Sequence, residues 1–127
     1  MGHRGEKRRL ERMPSDEIIV AVKDVIHSLA KGDYKTLEAD GRAGRLSAED
    51  LRDAVATYGR SLIIPPDEAW EEELLREAIP VGEQGNSWAL VANLWTVGQG
   101  RSDLSLEATA EARPEGVLVS IDDLHVL

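Results

Sequence analysis

The strict alternation of apolar and polar side chains over residues 103–112 is the feature that most constrains the fold of this chain. The apolar positions are Leu104, Leu106, Ala108, Ala110 and Ala112. Polar or charged residues occupy every position between them. A period of two places the apolar set on one side of an extended strand, whereas a helix would scatter it around its axis. The segment therefore predicts a β-strand with one buried face.

A second strand candidate precedes it and is apolar on both faces. Over residues 87–97, Trp88 and Leu90 share one face, while Val91 and Trp95 share the other. A strand of this kind lies at the centre of a sheet, or its outer face meets a second subunit.

The last strand candidate follows a Pro-Glu-Gly turn. Val117, Val119 and Ile121 lie on one side of it. The polarity changes at Asp122 and Asp123, which predicts a bulge or a strand end there. The three candidates together predict an antiparallel meander at the C-terminus.

The N-terminal half has helical patterns. Apolar residues at helical spacing predict a helix from Ser15 to the residue before Gly32, with Ile18, Ile19, Val22, Ile26 and Leu29 on its buried face. A short helix is expected around Tyr34 and Leu37. A third helix begins with a capping box of Ser47 and Asp50 and ends at Gly59.

The segments between the helices and the meander are short. Residues 61–64 predict a strand that ends at two prolines, because proline lacks the N–H that a ladder needs. The acidic run DEAWEEE could start a helix. Because LLREAIPV alternates like an edge strand, a turn followed by a strand is favoured.

These elements predict an α+β fold in which N-terminal helices pack on a curved four- or five-stranded antiparallel sheet. A single domain is expected over residues 14–127. Residues 1–13 form a predicted disordered basic arm.

Composition excludes several classes of protein. The 127 residues contain no cysteine, so disulfides, metal–thiolate sites and thiol catalysis are excluded. No stretch approaches the roughly 20 apolar residues of a membrane span. We therefore expect a cytoplasmic protein without a membrane partner.

The charge is uneven along the chain. The net charge is -9, and residues 1–13 contribute +3, so residues 14–127 carry -12. An acidic body repels nucleic-acid backbones and attracts cationic partners. The sequence therefore predicts no nucleic-acid partner and favours a basic protein.

The side chains nearest to chemistry are two polar clusters in the meander. Asp123 and His125 lie on one strand face, where a carboxylate could orient an imidazole, and Arg101 could hold an anion. Alternatively, Arg101 pairs with a neighbouring aspartate and braces the turn. The candidate ligand-binding residues are Tyr34, Trp95, Arg101, Asp103, Asp123 and His125. We predict no catalytic set, no metal and no cofactor.

Four segments carry a resemblance to a known family. They are GDY at residues 32–34, YGRSLIIPPDE at 58–68, LWTVGQGRSDLSL at 94–106 and DDLHVL at 122–127. Over most of residues 18–127 the chain resembles a family of short bacterial proteins defined as a domain of unknown function. That resemblance implies a shared fold and no particular reaction. The order of helices and then strands is also similar to that of nuclear-transport-factor-2-like and cystatin-like proteins, in which a curved sheet wraps a long helix.

The resulting functional prediction is a non-catalytic binding or interaction protein that forms a homodimer and neutralises a cationic protein partner. The alternative is a small enzyme or ligand-binding protein with a pocket between the first helix and the sheet. In that alternative Asp123 and His125 are the acid and base, and Arg101 holds the substrate.

Overall fold

The computed structural model of the chain describes residues 15–70 and 78–126, with Ser15 described by its backbone alone. The helices bounded within the described residues are α1 (Ser15–Lys31), α2 (Tyr34–Ala39) and α3 (Ala48–Tyr58). All three were predicted by the sequence. The predicted arm over residues 1–13 lies outside the described residues. No helix in the described part of the chain is both long and apolar enough to cross a membrane.

Five strands follow the helices and form one antiparallel sheet. They are β1 (Leu62–Ile63), β2 (Ile79–Pro80), β3 (Ser87–Thr96), β4 (Gly100–Arg113) and β5 (Gly116–Val126). The order is β1-β3-β4-β5, and β2 pairs with β3 as well. Because β4 takes the other edge of β3, β1 and β2 share the remaining edge and lie at its two ends. The predicted α+β class, with its C-terminal meander, is confirmed.

Helix α1 provides one wall of the core. Its buried residues are Ile18, Val22, Val25, Ile26 and Leu29. They recur at steps of three and four, so they form one stripe on the helix. Burying an aliphatic side chain of this size contributes about 1.5–3 kcal/mol to the free energy of folding, so this stripe holds the helix on the sheet.

The start and end of α3 follow its local sequence. The hydroxyl of Ser47 accepts from the backbone N–H of Asp50, and the Asp50 carboxylate accepts in return from the N–H of Ser47. Gly59 ends the helix in a left-handed conformation with φ of 84°. The predicted capping box is confirmed.

The inner face of the sheet provides the other wall of the core. Leu90 on β3 lies opposite Ala108 on β4, which in turn lies opposite Ile121 on β5. All three are buried. The alternating residues of β4 therefore face the core as predicted, and β3 has the predicted place inside the sheet.

Two irregularities curl the sheet. One is a register shift between Asn93 and Trp95 on β3, and the other lies between Glu107 and Ala108 on β4. At the second, Asp122 is the extra residue on β5, so the bulge predicted at Asp122 and Asp123 is confirmed. Bulges bend a strand and increase its twist, which lets the sheet wrap α1.

The prediction for the acidic segment was wrong at its start. Residues 67–70 form a helical turn instead of the favoured non-helical turn, and Trp70 is buried in that turn. Burial of the Trp70 ring outweighs the weak preference of the local sequence for a non-helical turn. The expected edge strand appears as Ile79–Pro80, while residues 71–77 lie outside the described part.

The outer edge of β5 is covered at one point by the loop between α2 and α3. The N–H of Ile121 donates to the carbonyl of Arg42 over 2.8 Å. Gly44 crosses the Ile121 carbonyl so closely that a Cβ on Gly44 would overlap it. Gly44 also has φ of +63°, a backbone conformation that favours glycine. The close approach and the backbone conformation therefore each require glycine at this position.

We predict that Gly44→Ala destabilises the protein more than Gly41→Ala. Gly41 has φ of +79° with open space around it, so alanine there costs only backbone strain, about 1–2 kcal/mol. Gly44→Ala adds the overlap with Ile121 and should cost at least about 1 kcal/mol more. Urea unfolding of the two variants measures the difference, and equal midpoints would contradict the close approach.

Candidate functional site

Asp123 and His125 on β5 lie beside a third residue, Glu107, on the neighbouring strand β4. His125 Nε2 lies 2.6 Å from Glu107 Oε2 and 3.9 Å from Asp123 Oδ2. Glu107 lies directly opposite Asp123 in the β4–β5 register. The structure therefore brings together the predicted carboxylate and imidazole, but the closer partner of the imidazole is Glu107.

The carboxylates change the proton affinity of His125. The hydrogen bond that His125 donates to the Glu107 carboxylate is the main cause that raises the pKa of His125 above its ordinary value of 6.5, and the charge of Asp123 adds to it. The raised pKa favours the protonated imidazole, which donates its Nε2–H to the Glu107 carboxylate. The cluster is therefore best described as a charged brace between β4 and β5.

Arg101 lies on the next strand pair, at the first bulge. Its Nη2 donates to Asn93 Oδ1 over 3.2 Å, and Asn93 Nδ2 donates to the carbonyl of Ser102 over 2.9 Å. Trp95, opposite Arg101 in the register, lines a cavity of about 10 Å³ together with Trp70. Through the contact with Asn93, Arg101 braces β3 and β4 at the point where their register shifts.

The Ser102 hydroxyl bridges the two strands where their register shifts. It donates to the carbonyl of Leu94 over 2.7 Å and accepts from the N–H of Leu104 over 3.2 Å. Ser102 is only 3% exposed. The side chain therefore supplies hydrogen bonds that the interrupted ladder cannot make.

Asp103 contributes its backbone to a contact with α3. The Tyr58 hydroxyl accepts from the N–H of Asp103 and donates to Gln99 Oε1, both over 3.2 Å. Thr96 also donates to Gln99 Oε1, over 3.1 Å. This network attaches the last turn of α3 to the β3–β4 hairpin.

Tyr34 is remote from these groups. It lines a groove of about 370 Å³ between the ends of α1 and α3, beside Lys31 and Arg60. His125 lines a different groove, of about 360 Å³, between α3 and the end of β5. Tyr34, Trp95 and His125 thus line three separate cavities. Ligand binding by the six candidate residues stays a prediction.

Ser105 lies opposite His125 in the register and is 0% exposed. Within residues 15–70 and 78–126, its hydroxyl has no hydrogen-bond partner. A catalytic serine needs a base within hydrogen-bond reach and a route for substrate. The described residues also contain no group of three or more carboxylates and imidazoles placed to hold a metal ion.

A groove between α1 and β5 combines charge with apolar surface. Its volume is about 370 Å³. Its lining residues are Asp16, Glu17, Val20, Ala21, Asp24 and Val117. The carboxylates flank an aliphatic floor, on which Val20 is 59% exposed. Exposed aliphatic surface and clustered like charges each raise the free energy of a protein that has no partner. Their combination is a feature of binding surfaces.

Neither Glu107 nor the residues that line this groove were predicted from the sequence. Glu107 lies 18 residues before its partner His125, and only the register with its bulge brings them together. A signal for the groove was available. Asp16, Val20 and Asp24 are spaced by four, so they share one helix face on which an apolar residue interrupts the charges.

We predict that Ser102→Ala destabilises the protein and that Ser105→Ala does not. Ser102→Ala leaves a buried carbonyl and a buried N–H without partners, which costs about 1–3 kcal/mol. Ser105→Ala removes a buried hydroxyl that has no partner, so stability should stay constant or rise. Urea midpoints measure both, and an equal loss in the two variants would contradict the bridging role of Ser102.

We predict that Glu107→Gln lowers the pKa of His125, and that Asp123→Asn lowers it less. Proton NMR titration of the imidazole measures both changes. Because the folded pKa is raised, the pair stabilises the protein fully below about 6.5 and stops doing so as the pH rises through the folded pKa. The stability difference between wild type and Glu107→Gln should therefore shrink at higher pH. A larger pKa change in Asp123→Asn than in Glu107→Gln would contradict the assignment of Glu107 as the main partner of His125.

Comparison with known proteins gives one match. The family described as "Domain of unknown function (DUF7668)" matches residues 26–127, which is most of the chain. No curated protein and no solved structure matches the chain. The similarity to nuclear-transport-factor-2-like and cystatin-like proteins therefore stays a prediction. By the extent of the family match, the chain belongs to the family described as "Domain of unknown function (DUF7668)".

Proposed function

We propose that this chain is a non-catalytic binding protein that captures a cationic protein partner, and that the partner docks in the groove between α1 and β5. The observation that carries the proposal is the groove's lining, three carboxylates around an aliphatic floor. The homodimer expected from the sequence is a separate proposal that this groove does not require.

The carboxylates of the groove favour a cationic ligand. Asp16, Glu17 and Asp24 form no ion pair or hydrogen bond within the described part of the chain. The nearest cation on the same helix, Lys23, lies 3.6 Å from Asp67. A partner's lysine or arginine would therefore relieve the mutual repulsion of these carboxylates.

The floor of the groove supports a protein partner over a small ion. Val20, Ala21 and Val117 offer aliphatic surface next to the charges. Lysine and arginine side chains have apolar stems that cover such surface while their charged ends reach carboxylates. An isolated metal ion or amine would leave the floor exposed.

The charge of the whole chain acts at longer range. A net charge of -9 attracts a cationic protein before contact, so association should be fast and sensitive to ionic strength. The alternative of a small enzyme places its pocket in the same region, between the first helix and the sheet. The carboxylates and aliphatic groups that line the groove favour capture of a cation over acid–base chemistry by His125.

We predict that a capped peptide of alternating lysine and valine binds the full chain and that its affinity falls as salt is added. A combined variant, Asp16→Asn, Glu17→Gln and Asp24→Asn, should lose about tenfold in affinity, since each exposed charge pair contributes about 0.2–1 kcal/mol. Isothermal titration calorimetry measures the affinities.

The control variant removes three charges elsewhere. Asp53→Asn, Glu68→Gln and Glu83→Gln lie at exposed positions outside the groove and should change the affinity little. A peptide of alternating glutamate and valine should not bind. Equal losses in the two variants, or binding that does not depend on salt, would contradict the proposed site.

A further inference from the structure

On the basis of the proposed function, we infer that the basic arm of the same chain, residues 1–13, occupies the groove between α1 and β5 when no partner is bound. The arm then competes with the cationic partner for the three carboxylates. Only a partner that binds the groove more strongly than the arm displaces it, so the arm sets a threshold for capture.

The arm and the groove have opposite charges. Residues 7–12, with the sequence KRRLER, contain four cations and one glutamate. The groove presents Asp16, Glu17 and Asp24, which form no ion pair or hydrogen bond within the described part of the chain. All three are exposed. Opposite charges on two surfaces favour their association.

The spacing of the arm matches the spacing of the groove. On α1 the order carboxylate, aliphatic, carboxylate is given by Asp16, Val20 and Asp24, which follow each other at about 6 Å along the helix axis. In an extended segment alternate side chains point to one side and repeat at about 6.6 Å. Arg12, Leu10 and Arg8 are such alternate residues, in the order cation, aliphatic, cation.

The match gives each side chain a partner in the groove. With the arm antiparallel to α1, Leu10 lies on Val20, which is 59% exposed. Arg12 and Arg8 then lie beside the carboxylates on either side of Val20. The glutamate of the arm alternates with these residues, so it points away from the groove.

The connection to α1 is long enough for this arrangement. From Ser15 to Val20 the helix rises about 7.5 Å. An extended chain covers about 16 Å over the five residues from Ser15 back to Leu10, which leaves length for a turn. Pro14 disfavours a helical conformation at Met13, so a straight continuation of α1 into the arm is disfavoured.

The tether favours the arm of the same chain over the arm of a second copy. A short flexible connection gives an effective concentration of about 1 mM, which is far above that of other copies in a dilute solution. The apparent affinity of a partner falls by the fraction of chains in which the groove is free. Loss of the arm's charge should therefore strengthen partner binding.

The first test uses the absence of cysteine from the chain, which makes an introduced pair unique. Leu10→Cys combined with Val20→Cys should form a disulfide within one chain under mild oxidation. The control combines Leu10→Cys with Ile79→Cys, because Ile79 is 58% exposed and does not line the groove. The first pair should oxidise at least about tenfold faster. Non-reducing electrophoresis separates monomers from cross-linked dimers, and peptide mapping identifies the disulfide.

The second test compares affinities for the capped lysine–valine peptide by calorimetry. The combined variant Arg8→Gln, Arg9→Gln and Arg12→Gln in the full chain should bind the peptide at least about threefold more tightly than wild type. Circular dichroism checks that the fold persists.

The control for this test removes the same amount of charge elsewhere. Lys35→Gln, Arg45→Gln and Arg60→Gln lie at exposed positions outside the groove. This control makes the chain more acidic by the same three charges, so it measures the change in long-range attraction alone. Its gain in affinity should be smaller than that of the arm variant.

The outcomes separate the role of the arm from the proposed function. Equal oxidation rates of the two cysteine pairs, disulfides mainly between chains, or equal gains in the arm variant and its control each overturn the role of the arm. If the peptide still binds through the groove carboxylates, the proposed function stands without it. Absence of peptide binding in both wild type and the arm variant overturns the proposed function and the arm's role as its competitor.

Discussion

The pairing of β4 with both β3 and β5 is the constraint on which the rest of the structure depends. The apolar residues of β4 face α1. The pairing of β4 with each of its two neighbours shifts register once. Without those breaks the sheet would stay flatter and could not close over the stripe of α1. Each break exposes backbone groups that need partners. Ser102 bridges the first break, and near the second the Asp123 carboxylate accepts from the backbone N–H of Leu124 over 2.9 Å. The register shifts that curve the sheet are therefore accompanied by side chains that hydrogen-bond nearby backbone groups.

The two edges of the sheet are covered to different extents. The edge of β3 carries β1 and β2 at its two ends, and the edge of β5 is covered by the loop at Ile121. Exposed edges invite pairing with other chains, and proteins commonly protect them with charge. Further along β5, Val119 is buried, and Val117 is half-buried beside three carboxylates of α1. Those charges oppose pairing of this edge with another copy of the same acidic chain.

Local patterns predicted the elements, whereas the site depended on distant pairings. The alternation in β4, the stripe of α1 and the Ser47 capping box each involve neighbours in sequence, so their physical causes are readable there. The helical turn at residues 67–70 was missed because burial of Trp70 decides it. The partnership of Glu107 with His125 requires the register, and the register requires the bulge. For the same reason the sequence left two roles open for Arg101, either bracing the turn through an aspartate or acting with His125. In the structure Arg101 donates to Asn93, and His125 pairs with Glu107.

Amide hydrogen exchange along β5 reports on its pairing with β4. The N–H groups of Leu118 and Ser120 point to β4, while that of the half-buried Val117 points away from it. In the full chain, exchange should therefore be slow at Leu118 and Ser120 and faster at Val117. Slow exchange at Val117 with fast exchange at Leu118 and Ser120 would mean a register shifted by one residue and would overturn this pairing of β4 with β5.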